Sequence, residues 1–153
     1  MASLVLTHGG DEDEAIAGLL HDAVEDQGGK PRLAEIRAKY GLRVARIVQG
    51  CTDADTFPKP PWLGRKKKYL RHLRGAQASV RLVSAADKLH NAREILSDYR
   101  MHGDLVWKRF SAPKKLTLWY YREVANILLK LGPRDIAGEL NRVVTELEEI
   151  SRR

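Results

Sequence analysis

Apolar residues recur at three- and four-residue spacings along the chain, and no stretch alternates apolar with polar as a half-buried strand does. Each segment then has one stripe to bury, which predicts an all-α fold, a compact array of about seven to nine helices. Residues 2–6 read as the end of a helix that stops at His8-Gly9-Gly10. Asp11 or Asp13 can cap the next helix, whose apolar face reads Ala15, Ile16, Leu19, Leu20 and Ala23 before Gly28-Gly29 ends it. Pro31 opens a helix with Leu33, Ile36 and Tyr40, and Gly41 separates it from one with Val44, Ile47 and Val48. Pro58, Pro60 and Pro61 make residues 52–61 irregular. A basic helix follows around Arg65-Lys66-Lys67-Lys68, with Leu70 and Leu73 inward, and then a long helix from about Ser79 to Tyr99 built on Val80, Val83, Ala86, Leu89 and Ile95. Gly103 breaks it before a short helix at Leu105–Trp107, Pro113 starts the next, and Gly132-Pro133 turns into a last amphipathic helix with Leu140, Val143, Val144 and Leu147.

The 153 residues are one domain's worth, and a hydrophobic content of 43% suffices for a core, so residues 1–153 read as a single domain. No apolar run is long enough to span a membrane, and the opening residues, which soon reach Asp11-Glu12-Asp13-Glu14, do not read as a secretory signal. The single cysteine, Cys51, has no partner for an internal disulfide and fits a reducing cytoplasm. A net charge of +7 leaves nucleotides, nucleic acid or a merely solvated basic surface open as explanations.

Two segments carry chemistry. In Leu19-Leu20-His21-Asp22-Ala23-Val24-Glu25-Asp26, a continuous helix would put His21 and Glu25 on one face and Asp22 and Asp26 on the adjacent one. Imidazole and carboxylate together suit manganese, zinc or magnesium, although an acid-rich surface helix is the plain alternative. In Ser84-Ala85-Ala86-Asp87-Lys88-Leu89-His90-Asn91-Ala92-Arg93, Asp87 and Asn91 share a face within an apolar run. A carboxylate buried there needs a partner, either a metal ion or a salt-bridging arginine.

Together, LLHDAVED and AADKLHNAR resemble the HD phosphohydrolase superfamily and, more narrowly, the hydrolase domain of RelA/SpoT-type enzymes and the small alarmone hydrolases. The likeness runs over about residues 1–100 and includes Gly50-Cys51-Thr52-Asp53 and the basic segment ahead of Asp87. It implies that His21, Asp22 and Asp87 ligate a metal, usually manganese, and that Glu25 and Asp26 position and activate the attacking water. It implies that Asn91 and Arg93 contact a nucleotide, and that the reaction is hydrolytic removal of the 3′-pyrophosphate of guanosine tetra- or pentaphosphate.

Members of that family carry a further histidine ligand and a basic nucleotide-gripping loop upstream of the HD pair, beyond the start of this chain. His8, in a glycine-flanked turn, is a poor substitute, so weak or absent hydrolysis is expected of the chain as it stands. The alternatives are a degenerate HD module that binds nucleotide or a partner protein without catalysis, and a phosphatase acting on another nucleotide. A nucleic-acid-binding reading of Arg65–Lys68 with Trp62 and Tyr69 ranks last, since no recognised binding motif supports it. No membrane association is expected, and oligomeric state is not legible. Trp119-Tyr120-Tyr121 reads as helix packing, and nothing marks Cys51 as a nucleophile.

Overall fold

Glycine- and proline-marked breaks between apolar stripes divide the chain into nine α-helices and one 3-10 turn among the described residues, which in this computed structural model are 1–54, 56 and 58–152. The helices are α1 (Ala2–Thr7), α2 (Glu12–Leu20), α3 (Ala23–Asp26), α4 (Gly29–Tyr40), α5 (Leu42–Cys51), α6 (Trp62–Gly75), α7 (Ala78–His102), α8 (Lys114–Leu131) and α9 (Arg134–Ile150). The 3-10 turn, Gly103–Arg109, joins α7 to the segment before α8. No strand occurs among the described residues, and the fold is all-α as its periodicity predicts.

Helix α7 is the axis of the molecule. Val80, Leu82, Val83, Ala85, Ala86, Leu89 and Ala92 are buried around nearly its whole circumference, the pattern of a helix enclosed by others. It packs against α2 and α5 on their buried faces and against α9, which in turn packs on α8. The α9 stripe Ile136, Leu140, Val144 and Leu147 is fully buried at helical spacing. Leu70 and Leu73 of α6 are inward as expected, and Tyr120 and Tyr121 of α8 belong to the core.

The helix starts follow local chemistry. Asp11 caps α2: its Oδ1 accepts from the Glu14 N–H at 3.0 Å, while Glu14 Oε2 accepts from the Asp11 N–H at 2.8 Å. Between α4 and α5, Gly41 adopts φ 92°, a left-handed conformation open to glycine at little cost. The segment after α5 is irregular where described, and Asp55 and Phe57 lie outside the described residues.

Two expectations need correction. Leu19 is not a core residue but is 68% exposed, because α2 buries its small residues Ala15, Ala17 and Gly18 instead. Gly18 lets α1 approach closely; a Cβ there would lie 3.2 Å from Val5 Cγ2. Nor does one continuous helix carry the acidic cluster: α2 stops at Leu20, His21 and Asp22 form a turn, and α3 begins at Ala23.

Candidate functional site

The turn between α2 and α3 aims His21 at α7. The His21 Nδ1–H donates to the Gly18 carbonyl at 2.8 Å, which fixes the ring and leaves Nε2 facing two carboxylates. Nε2 lies 3.0 Å from Asp22 Oδ2 and 3.2 Å from Asp87 Oδ1. The three side chains thus converge although Asp87 comes from a distant part of the sequence. Asp87 is 9% exposed, whereas the Asp22 carboxylate is largely in solvent.

Besides His21, the partners of Asp87 are two neighbours on its own helix. Asn91 Nδ2 donates to Oδ1 at 2.9 Å, and the Lys88 ammonium pairs with Oδ2. Burial alone would raise the Asp87 pKa, but Lys88 and His21 outweigh it and hold the carboxyl well below the usual carboxylate range. Burial likewise opposes protonation of His21, yet Asp22 and Asp87 overcome it and push its pKa up to about 10. Lys88 is shielded too, and despite that burial Asp87 keeps its ammonium charged well above the ordinary range. Its Nζ lies 5.8 Å from the Tyr69 ring centre and 5.9 Å from that of Tyr120.

Glu25 and Asp26 join a neighbouring cluster. Lys59 Nζ is 2.8 Å from Glu25 Oε1 and 3.5 Å from Asp26 Oδ1, and the Asp53 N–H donates to Glu25 Oε2 at 3.4 Å. Asp53 in turn binds Arg65 and Lys66 through Oδ2. Burial pulls the Lys66 pKa down, against the pull of Asp53. Arg65 and Lys66 are therefore not part of a solvated basic face. Lys66 was findable: it stands three, four and seven residues before Tyr69, Leu70 and Leu73, on the inner stripe of α6. Lys88 and Lys59 carried weaker signals, one beside Asp87 in an apolar run and the other in an irregular loop.

Arg93 is turned elsewhere. Its guanidinium pairs with Glu139 of α9 at 2.5 Å, and His8 reaches the same glutamate at 3.4 Å. A small cavity of about 190 Å³ begins beside the Asp87 cluster, lined by Lys66, Lys88, Asn91, Trp62, Tyr120 and Tyr121. His21, Asp22 and Asp87 do not line this cavity. Burial pushes the Cys51 thiol pKa up to about 12.

In chemical terms the donor set suits a divalent ion, one imidazole nitrogen and two carboxylates meeting at one point. In this arrangement the three are closed on one another by hydrogen bonds. No group of three or more histidine, cysteine, aspartate or glutamate side chains among the described residues is spread around a common centre as an ion requires.

A helical scaffold presenting a His–Asp pair at a helix break, opposite an aspartate on a central helix, defines the class. The sequence profile of the HD domain matches residues 1–115, and the chain belongs to the HD-domain family. Over 94 residues it is 37% identical to a Danio rerio protein named guanosine-3′,5′-bis(diphosphate) 3′-pyrophosphohydrolase MESH1, a match covering 60% of this chain and 49% of the relative. The chain thus spans about half the length of that relative. A Spiroplasma citri guanosine-3′,5′-bis(diphosphate) 3′-pyrophosphohydrolase is 37% identical over 131 residues, 84% of this chain and 16% of that protein. The crystal structure of lmo0812 from Listeria monocytogenes superposes with a TM-score of 0.84 at 29% identity, covering 99% of this chain and 96% of that one. No helix among the described residues is long and apolar enough to cross a membrane.

Proposed function

We propose that the chain is a metal-dependent hydrolase that removes the 3′-pyrophosphate from guanosine 3′,5′-bis(diphosphate) or its pentaphosphate relative. The observation that carries this reading is the meeting of His21 Nε2 with the Asp22 and Asp87 carboxylates at 3.0 and 3.2 Å, with the ring already locked through Nδ1. The relatives' names supply the substrate class.

On this reading His21, Asp22 and Asp87 hold a divalent ion, manganese by the family resemblance. The ion, when bound, lowers the pKa of water and offsets charge on phosphoryl oxygens. Lys88 and Asn91 orient Asp87 through Oδ2 and Oδ1, as the hydrogen-bonding partners of a ligating carboxylate do. Glu25, braced by Lys59, and Asp26 beside it hold the attacking water and take its proton. Asn91 opens onto the cavity that also contains Lys66, where a pyrophosphate would find cationic partners. Arg93 would have to exchange Glu139 for a phosphate to contribute. The setting is cytoplasmic, in keeping with a nucleotide substrate and the free thiol of Cys51.

A second reading, a non-catalytic HD module that binds nucleotide, is favoured by the Lys88 ammonium on Asp87 and by the closed state of the three donors. The two are separated by pyrophosphate release from guanosine 3′,5′-bis(diphosphate), with and without manganese, in the wild type and in Asp87→Ala. Manganese-dependent release lost in the variant supports the hydrolase. Nucleotide binding without release supports the module, and manganese-dependent release from another nucleotide alone moves the substrate.

A further inference from the structure

The cavity of about 190 Å³ beside Asp87 lies between the start of α6, the middle of α7, residues 110–112 and the first half of α8. Lys66 and Lys88 are its charged residues, and no carboxylate lines it among the described residues. Neither lysine is a surface group, since their side chains are only 16% and 15% exposed. Both gather around one ring, with Lys66 Nζ 4.9 Å and Lys88 Nζ 5.9 Å from the Tyr120 centre. Each ammonium has three N–H groups. Among the described residues one carboxylate oxygen accepts from each, Asp53 Oδ2 from Lys66 and Asp87 Oδ2 from Lys88. Two like charges drawn together away from water, with N–H groups to spare, call for negative charge in the space they line.

Tyr120 and Tyr121 make the same demand independently. They are 4% and 7% exposed, and neither hydroxyl has a hydrogen-bond partner among the described residues. The polar side-chain atoms that are both unpartnered and sealed from solvent are Asp53 Oδ1 and Ser151 Oγ, so the two phenol oxygens keep accessible surface. Their residues line this cavity, and both phenols are within electrostatic reach of the Lys88 ammonium. A buried phenol ordinarily finds a partner for its O–H, and here the free space beside it is where an acceptor can sit.

We propose that this cavity is an oxyanion site that holds one phosphoryl group, as inorganic phosphate or one end of pyrophosphate, between Lys66 and Lys88 with hydrogen bonds from the Tyr120 and Tyr121 hydroxyls. Its volume has room for about six waters at about 30 Å³ each, which suits a tetrahedral oxyanion. It falls below the range of about 300–1,000 Å³ typical of sites for larger organic ligands, so a nucleoside does not enter. A role for the site in holding the departing pyrophosphate rests on the hydrolase reading, whereas binding of the free anion does not.

The test uses the full chain in EDTA, so that no metal contributes, with inorganic phosphate titrated against backbone amide shifts at an ionic strength held constant with chloride. Saturable shifts are expected at Asn91, Ser111, Thr117 and Tyr120, and pyrophosphate should compete for the same amides. The double variant Tyr120→Phe/Tyr121→Phe keeps both rings in the core and should bind phosphate at least about tenfold more weakly. Lys66→Met should weaken it at least as much. No saturation at millimolar phosphate, shifts confined to the exposed Lys67, Lys68 and Arg71, or an undiminished affinity in the folded double variant would each overturn the proposal. Phosphate binding in a chain that releases no pyrophosphate from nucleotide with manganese would keep the anion site and remove the hydrolase. Release without phosphate binding would do the reverse.

Discussion

His21 carries a proton that its setting stabilises, and this has a measurable consequence in the metal-free protein. Its pKa rises from an ordinary 6.5 to about 10, so its stabilising contribution is complete below pH 6.5 and is lost as pH climbs through 10. Asp87, shifted downward, contributes above its unfolded value of 3.8 and loses that contribution only as pH falls through its lower folded value. The thermal midpoint in EDTA should therefore decline between pH 6.5 and 10, and His21→Asn should flatten that decline. An equal slope in the variant would remove His21 as its cause. Lys88→Met should destabilise the fold by about 3 kcal/mol in urea titrations, because it leaves the Asp87 charge short of its closest cation. Loss of less than about 0.5 kcal/mol would mean that solvent or His21 covers that charge. Cys51, its thiol raised by burial, should react with iodoacetamide at pH 8 at least about a hundredfold more slowly in the folded chain than in urea.

Among the helices, glycine positions separate close packing from open surface. A Cβ at Gly10 would meet Val5 Cγ1 at 2.4 Å and the Val5 carbonyl at 2.8 Å, so Gly10→Ala must push α1 off the turn into α2. A cost of about 1–3 kcal/mol is expected. Gly64, within α6, has nothing within 4 Å, and Gly64→Ala should stabilise by about 0.5–1 kcal/mol. Two urea titrations check both signs. The breaks at Gly41 and Gly132 were legible because a left-handed turn there favours glycine, and the α9 stripe was legible because its period is unbroken. The break at His21–Asp22 was not, since no glycine or proline marks it. It coincides with the tertiary pull of Asp87 on His21 and the bond from Nδ1 to Gly18. The wrong face assigned to Leu19 came from counting large residues, where α2 packs through small ones.

Across the molecule, long-range pairing decided which motif residues meet. Asp87 and Asn91 are about 40° apart around α7, whereas Arg93 is about 240° from Asp87 and pairs with Glu139 of α9. The two HD-type segments were readable as partners only through the family resemblance, because nothing local in either one specifies the other. Lys59, Lys66 and Lys88 each neutralise a carboxylate in or beside the cluster, and of these only the inward position of Lys66 was implied by helical spacing. On the proposed reading, His21, Asp22 and Asp87 together hold a divalent ion on a stable helical scaffold. Manganese titration of the EDTA-treated chain by calorimetry, with His21→Ala and Asp87→Ala alongside and circular dichroism on each, tests it most directly. One bound manganese per chain is predicted for the wild type, with affinity reduced at least about tenfold in both variants and helical content nearly unchanged. Undiminished manganese binding in both folded variants would contradict the assignment.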